Sequence, residues 1–382
     1  MNLGGLYIHF PFCTQKCIYC DFYSLPNTNK LTSEKFVEFL CKEIELTAKT
    51  TKISWNINTL FIGGGTPSLL SLKQLEKIYT TLDNAFNLSE LEEFTLESNP
   101  GEFSLRKIQD FKSFGINRLS IGFQSLHNKT LRTLSRWHTK KDCIETYKNA
   151  RQANFENINI DMIFNVPGQT LNQWKKDLKS ITNLSPEHLS IYSLIIEKGT
   201  VLYDQILSKK IKPNTANLNT EMYFYALKSL EERGYSQYEI SSYSRKHKQC
   251  QHNLHYWRRS PYLAFGPSAH SFYNKTRYWN IRDFDNYTQK LKSNKLPIEN
   301  TETLQNENIF NEIIINGLKT SRGLDTEYIK KRFSKTTFKR LCKKIAVWNK
   351  YLNHNKDTIY LKKEGHLMID EIALDLMNSF QA

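Results

Sequence analysis

The chain has 382 residues, with 53 Lys and Arg against 38 Asp and Glu for a formal charge of +15, and a 39% apolar fraction. That composition excludes disordered and fibrous classes and allows one large core with one or two smaller units. No apolar run approaches the ~18–20 residues of a membrane span, no charged-then-apolar leader precedes the first strand pattern, and seven scattered cysteines make no disulfide framework, so a cytoplasmic, reduced protein is expected.

The first predicted strand, Leu6–Phe10, runs into Cys13-Thr-Gln-Lys-Cys17-Ile-Tyr-Cys20. Iron–sulfur clusters are normally held by four thiolates. The spacing C-x3-C-x2-C supplies three, enough for three irons of a cubane with the fourth left open. A zinc site would need a fourth ligand, commonly from a second cysteine or histidine pair, and none follows. Cys41, Cys143, Cys250 and Cys342 stand alone and read as ordinary buried or half-buried thiols.

Further β-rich runs follow at Thr59–Ile62, Phe94–Glu97, Arg118–Gly122, Ile158–Ile163 and His188–Leu194, with amphipathic stretches such as Ser33–Lys49, Ser71–Ala85 and Leu105–Phe114 between them. Strands alternating with helices predict a parallel sheet with crossover connections, and six such units make a partial (β/α)6 barrel. Ligands of such barrels gather at the carboxyl ends of the strands. There the chain places Gly63-Gly64-Gly65-Thr66-Pro67, whose glycines permit close backbone approach to a ligand. No Gly-Lys-Ser/Thr follows, so this is not a phosphate-binding loop. Glu97, Gln124, Arg136 and Asp161 lie at or near successive strand ends. Each alone reads equally as a solvated surface group. Together they offer acids and an arginine to one shared ligand.

After about residue 200 the pattern changes. Asn214–Arg233 is predicted helical, and residues 235–280 are rich in aromatics, His and Arg. Helical runs from Asn306 and over Thr337–Asn353 precede two predicted strands, Thr358–Leu361 and His366–Ile369, and a closing helix over Glu371–Ser379. This predicts a small winged-helix-like module. Such modules often bind DNA, but the lysines are dispersed, with only short clusters such as Lys330-Lys331-Arg332. No steering field follows, and nucleic acid is not an expected partner.

The cysteine spacing is similar to that of the radical S-adenosylmethionine (SAM) superfamily. Nearly the whole chain resembles its coproporphyrinogen dehydrogenase-like family, through Leu6–Phe22, the glycine run, Glu97–Pro100, Ile121–Gln124, Asp161–Thr170, Glu197–Thr200, Tyr238–Ser241, His252–Trp257 and Gly266–His270. Within it the chain resembles the heme-chaperone (HemW) branch. The dehydrogenases carry an additional cysteine two residues after the loop where this chain has Phe22, and His252-Asn-Leu-His-Tyr-Trp257 fits the H-N-x-x-Y-W motif of the chaperones.

The resemblance implies an α/β fold with a radical SAM barrel over 1–205, a family-specific extension over 206–300 and the winged-helix-like module over 301–382. It implies a [4Fe–4S] cluster on Cys13, Cys17 and Cys20, and SAM near Tyr7, Tyr19, Gly64, Gly65, Thr66, Glu97, Gln124, Arg136, Asp161 and His270. It further implies heme, with His252 as axial ligand, His255 as the alternative, Tyr256 and Trp257 against the porphyrin, and Arg258 and Arg259 on its propionates. The same motif read on its own serves equally as a brace against the barrel. The implied partners are acceptor hemoproteins such as respiratory enzymes, an electron donor and, transiently, a membrane. Two rivals remain: oxygen-independent coproporphyrinogen III dehydrogenase, against which Phe22 argues, and a radical SAM enzyme acting on RNA.

Overall fold

The computed structural model describes residues 3–26, 30–53 and 55–381. Its centre is six parallel strands adjacent in chain order: β1 (Leu3–Phe10), β2 (Asn56–Gly64), β3 (Glu93–Ser98), β4 (Arg118–Gln124), β5 (Ile158–Phe164) and β6 (His188–Ser193). Strands of a parallel sheet are covered on both faces and so read as nearly continuous apolar runs. That is why all six are legible in the sequence. Several crossover helices begin at side-chain caps, which stop the preceding turn in register. Ser71 with Gln74, Thr139 with Asp142 and Thr170 with Gln173 each form a reciprocal capping box. Helix Leu72–Phe86 then buries Leu75, Ile78, Leu82 and Phe86 at helical spacing.

The sheet does not stop at six strands. Beyond β6 it adds β7 (Ser236–Glu239) and β8 (Ser242–Ser244). Beyond β1 it adds β9 (Tyr262–Phe265), β10 (His270–Tyr273), β11 (Thr276–Asn280) and β12 (Ile298–Thr303). The spatial order is β12-β11-β10-β9-β1-β2-β3-β4-β5-β6-β8-β7. β9 runs parallel to β1 and the remaining added strands pair antiparallel. These flanking strands are three to six residues long and carry His, Arg, Asn and Glu among their aromatics, a composition that hid them.

The C-terminal region has its own core of Phe310, Ile314, Leu318, Leu324, Ile329, Leu341 and Ile345 with residues from its small sheet and last helix. Helices Asn306–Leu318, Thr326–Arg332 and Lys335–Val347 precede a hairpin and helix Ile369–Met377. The hairpin differs from expectation. Thr358–Leu361 pairs with Leu352–Asn355, and His366 lies in a 3₁₀ turn, Lys363–Met368. The predicted helix over Thr337–Asn353 ends early, at Val347, where Trp348 donates its indole N–H to Asp375 at 2.9 Å and the chain turns back. Among the described residues no helix is long and apolar enough to cross a membrane.

Candidate cluster and cofactor site

The carboxyl ends of β1 and β2 are stitched to the cysteine loop by main-chain bonds. Gly65 N–H donates to Phe10 O at 2.6 Å and Thr66 N–H to Phe12 O at 2.7 Å. Gly64 has φ +108°, and a Cβ on Gly65 would stand 2.5 Å from the Phe12 carbonyl oxygen. Only glycine permits this approach at position 65, because the atoms a Cβ would meet there, from Phe10 and Phe12, are all backbone. The loop closes on itself through Cys20 N–H to Cys17 O at 3.2 Å, and Ile18 N–H is held by Ser135 Oγ at 2.9 Å.

All three loop cysteines are half-buried free thiols. Burial, with Cys20 and Cys17 nearby, pushes the Cys13 thiol up to about 11. Such thiols deprotonate when cationic metal supplies the compensating charge. Among the described residues no three His, Cys, Asp or Glu side chains converge on one metal ion. A cubane makes no such demand, since it spreads its thiolates over different irons. Arg136 donates to Cys17 Sγ at 3.3 Å, to Gly122 O at 3.1 Å and to the Asn99 side chain, and its Nε is buried without a partner. Burial works against its charge, but Tyr19, Cys17 and Glu102 hold its pKa above the ordinary value. Asn99 in turn donates to Thr66 Oγ1 at 2.9 Å. Gln124 adopts φ +63° next to a register shift in β4, which turns the chain out of the sheet at that strand end.

Below this mouth lies a polar cavity of about 280 Å³, lined by Tyr7, Glu97, Arg118, Asp161, His252 and Tyr256 among others. Glu97 accepts from Gly64 N–H at 3.1 Å. Burial, reinforced by Asp161, pushes its carboxyl up to about 7. Asp161 accepts from Ser120 Oγ at 2.9 Å and from the Asn159 amide at 2.7 Å, and burial raises it as well. Two buried acids with raised pKa values suit a ligand that brings positive charge. SAM carries both an ammonium and a sulfonium, and the orphaned Arg136 Nε suits its carboxylate, so the residues present fit that cofactor.

The structure therefore gathers Tyr7, Glu97 and Asp161 in one cavity, and Cys13, Cys17, Cys20, Tyr19, Gly64, Gly65, Thr66, Gln124 and Arg136 around its upper mouth. His270 is not among the cavity residues. It stands exposed at the start of β10, with its ring stacked 5.6 Å from Trp279. Sequence reasoning missed Asn99, Ser120, Asn159 and Arg118. An arginine opening an otherwise apolar strand was the available signal for the last.

His252 is not placed as expected. Helix Gln251–Arg258 closes the opposite, amino-terminal end of the barrel. Glu93 accepts from its first amides, Gln251 N–H at 2.9 Å and His252 N–H at 3.0 Å. His252 is 1% exposed, with Nδ1 on Thr59 Oγ1 at 2.9 Å and Nε2 on the Tyr256 hydroxyl at 2.8 Å. Burial, then His255, holds it neutral. His255 Nε2 meets Asn58 Oδ1 at 2.9 Å. With both nitrogens engaged, His252 offers no free lone pair to an iron in this arrangement, and its two bonds tie the helix to the barrel. Tyr256 lines the barrel cavity on one side and, with Trp257, a neighbouring cleft on the other.

A family model described as the radical SAM superfamily matches residues 7–181. The superfamily implies a [4Fe–4S] cluster and SAM. Among curated relatives, the "Heme chaperone HemW" of Bacillus subtilis is 32% identical, covering 97% of this chain and 98% of its own length. That of Lactococcus lactis is 32% identical over 88% and 87% of the two chains. A mitochondrial "Radical S-adenosyl methionine domain-containing protein 1" of Danio rerio is 31% identical over 85% and 74%. The solved structure of coproporphyrinogen III oxidase (HemN) from Escherichia coli, a radical SAM enzyme, superposes with a TM-score of 0.86 at 20% identity, covering 99% of this chain and 91% of that one. That likeness is one of fold. The three-cysteine loop, the glycine turn beneath it and the full-length relatives agree: the chain belongs to the HemW family of the radical SAM superfamily.

Proposed function

We propose that this protein binds heme and passes it to acceptor hemoproteins, respiratory enzymes among them, using a radical SAM scaffold. The observation that carries the reading is the 32% identity to a heme chaperone across 97% of the chain. Cys13, Cys17 and Cys20 hold the [4Fe–4S] cluster, which when bound supplies an open iron and an electron to SAM. Gly64, Gly65 and Thr66 present backbone to the amino acid part of SAM. Arg136 holds its carboxylate, Glu97 and Asp161 face its cationic groups, and Tyr7, Tyr19 and Gln124 shape the walls. His270 approaches from the rim. Tyr256 and Trp257 contact heme, and His252 reaches the iron only if its bonds to Thr59 and Tyr256 open. Further parts of the proposal are the divisions at about residues 205 and 300, a cytoplasmic location, an electron donor and transient membrane contact at delivery.

The test is anaerobic: reconstitute the cluster, add stoichiometric heme and record the spectrum. A stable heme band that moves to an apo-hemoprotein on mixing is the expected result. Absence of heme binding by cluster-loaded protein, or conversion of coproporphyrinogen III to protoporphyrinogen IX with SAM and reductant, overturns the reading in favour of the dehydrogenase.

A further inference from the structure

Helix Gln251–Arg258 also faces a cleft of about 320 Å³ that shares only the wall of Tyr256 with the barrel cavity. Its walls are aromatic. Tyr256 meets Tyr262 edge-on with centroids 4.6 Å apart, Trp257 stands beside them, and Phe272 lies 6.3 Å from Tyr262. Phe272 with Leu304 and Ile309 forms a buried apolar cluster on which Tyr262 packs. Two guanidinium groups enter the same cleft, Arg259 from the helix end and Arg277 from β11. One carboxylate, Glu312 of helix Asn306–Leu318, holds both: Arg259 Nε to Oε2 at 2.8 Å and Arg277 to Oε1 at 2.8 Å. The side chains are 16%, 33% and 18% exposed for Arg259, Arg277 and Glu312.

Two cations against one anion leave a net positive charge in a half-desolvated, aromatic-lined cleft. A guanidinium shared two-to-one keeps N–H donors free for a second carboxylate. Arg259 also holds φ +57° at the helix end, a conformation uncommon for residues other than glycine. Arg258, by contrast, is exposed and lines a different surface hollow with Asn58 and Glu92.

We propose that this cleft takes the carboxylate-bearing edge of a planar aromatic ligand, the propionate edge of a porphyrin, on Arg259 and Arg277, with Glu312 as a built-in competitor for the same guanidinium groups. The inference rests on the heme-binding reading and adds to it where the ligand's acids land. Tyr256, Trp257 and Tyr262 cover the ring, and the bound propionate replaces part of the hold of Glu312. The competing carboxylate sets an intermediate affinity, as a protein that must release its cargo requires.

The experiment titrates the full cluster-loaded chain with heme, metal-free protoporphyrin IX and protoporphyrin IX dimethyl ester, read by absorbance and by quenching of tryptophan fluorescence. The native chain, Arg277→Gln and Glu312→Gln are compared. A lost charge-assisted hydrogen bond corresponds to roughly tenfold in affinity. Arg277→Gln is expected to weaken the free-acid ligands by about that factor and to leave the ester unaffected, while Glu312→Gln tightens the free acids. The two variants break the same ion-pair network, so a merely structural role moves both in the same direction. Equal weakening by both variants, or indifference of the native chain to esterification, overturns the proposal while heme binding stands. If the native chain binds neither heme nor porphyrin, both readings fall. If Arg277→Gln does not fold, the gain expected for Glu312→Gln and the native chain's ester sensitivity still decide the matter.

Discussion

Glu43 lies on helix Lys30–Thr50 and is fully enclosed where the added strands meet the barrel. Its carboxylate accepts from Gly266 N–H at 2.9 Å, from Tyr287 O–H at 2.6 Å and from the Asn280 amide at 2.5 Å. Burial pushes its pKa from 4.5 to about 7, and the three donors only partly offset this. The sign follows from linkage. Between the two pKa values the folded chain keeps a proton that the unfolded chain has released. Stability therefore falls as pH rises from about 4.5 to about 7 and then levels. The size of the shift corresponds to about 3 kcal/mol once Glu43 is ionised in both states. Glu43→Gln removes this titration while keeping the shape. Urea unfolding of the native chain and the variant at pH 5 and pH 8.5 is the assay. The stability difference is expected to move about 2–3 kcal/mol in the variant's favour at the higher pH. An unchanged difference at the two pH values would refute the account of Glu43 as a buried acid that is neutral at low pH.

Three further outcomes are expected. Gly65→Ala drives a Cβ to 2.5 Å from Phe12 O; it should cost about 1–3 kcal/mol and lower the iron content after anaerobic reconstitution, and a normal iron content would count against the glycine turn as the seat of the loop. The Glu97 carboxyl, pushed up to about 7, is neutral at low pH, so its share of SAM affinity should fall about tenfold from pH 8 to pH 6 by its titration. Equilibrium dialysis checks this, with Glu97→Gln lacking that component. His252→Ala leaves Thr59 and Tyr256 without their partner in a buried site, and thermal unfolding without heme should show a loss of about 2–4 kcal/mol; an unaltered melting temperature would sink the brace.

The six central strands and the three-cysteine loop were legible in the sequence because their signals are local. Doubly covered strands must be apolar throughout, and a cluster loop must carry its thiolates within a few residues of one another. Glu97 and Asp161 could be named for the same reason, since each lies on a recognisable strand. Local signal was weaker for β9 to β12. Their stability comes from pairing with β1 and with one another, so polar and aromatic residues are tolerated in them. The hairpin Leu352–Asn355 with Thr358–Leu361 was misjudged because His366-Leu-Met-Ile369 is as apolar as a strand. Its 3₁₀ turn is held by distant contacts, among them the Tyr223 hydroxyl on His366 Nδ1 at 2.6 Å.

The chain's own order of residues determined its family, its barrel and the spacing of its three-cysteine loop. Tertiary structure alone decided the surroundings of His252. A histidine's chemistry depends on which groups meet its two nitrogens, and here Thr59, 193 residues away, and Tyr256, four residues on, occupy both. The cleft of Arg259, Arg277 and Glu312 is likewise invisible in the sequence, because three separate elements bring those charges together and no local spacing records their meeting.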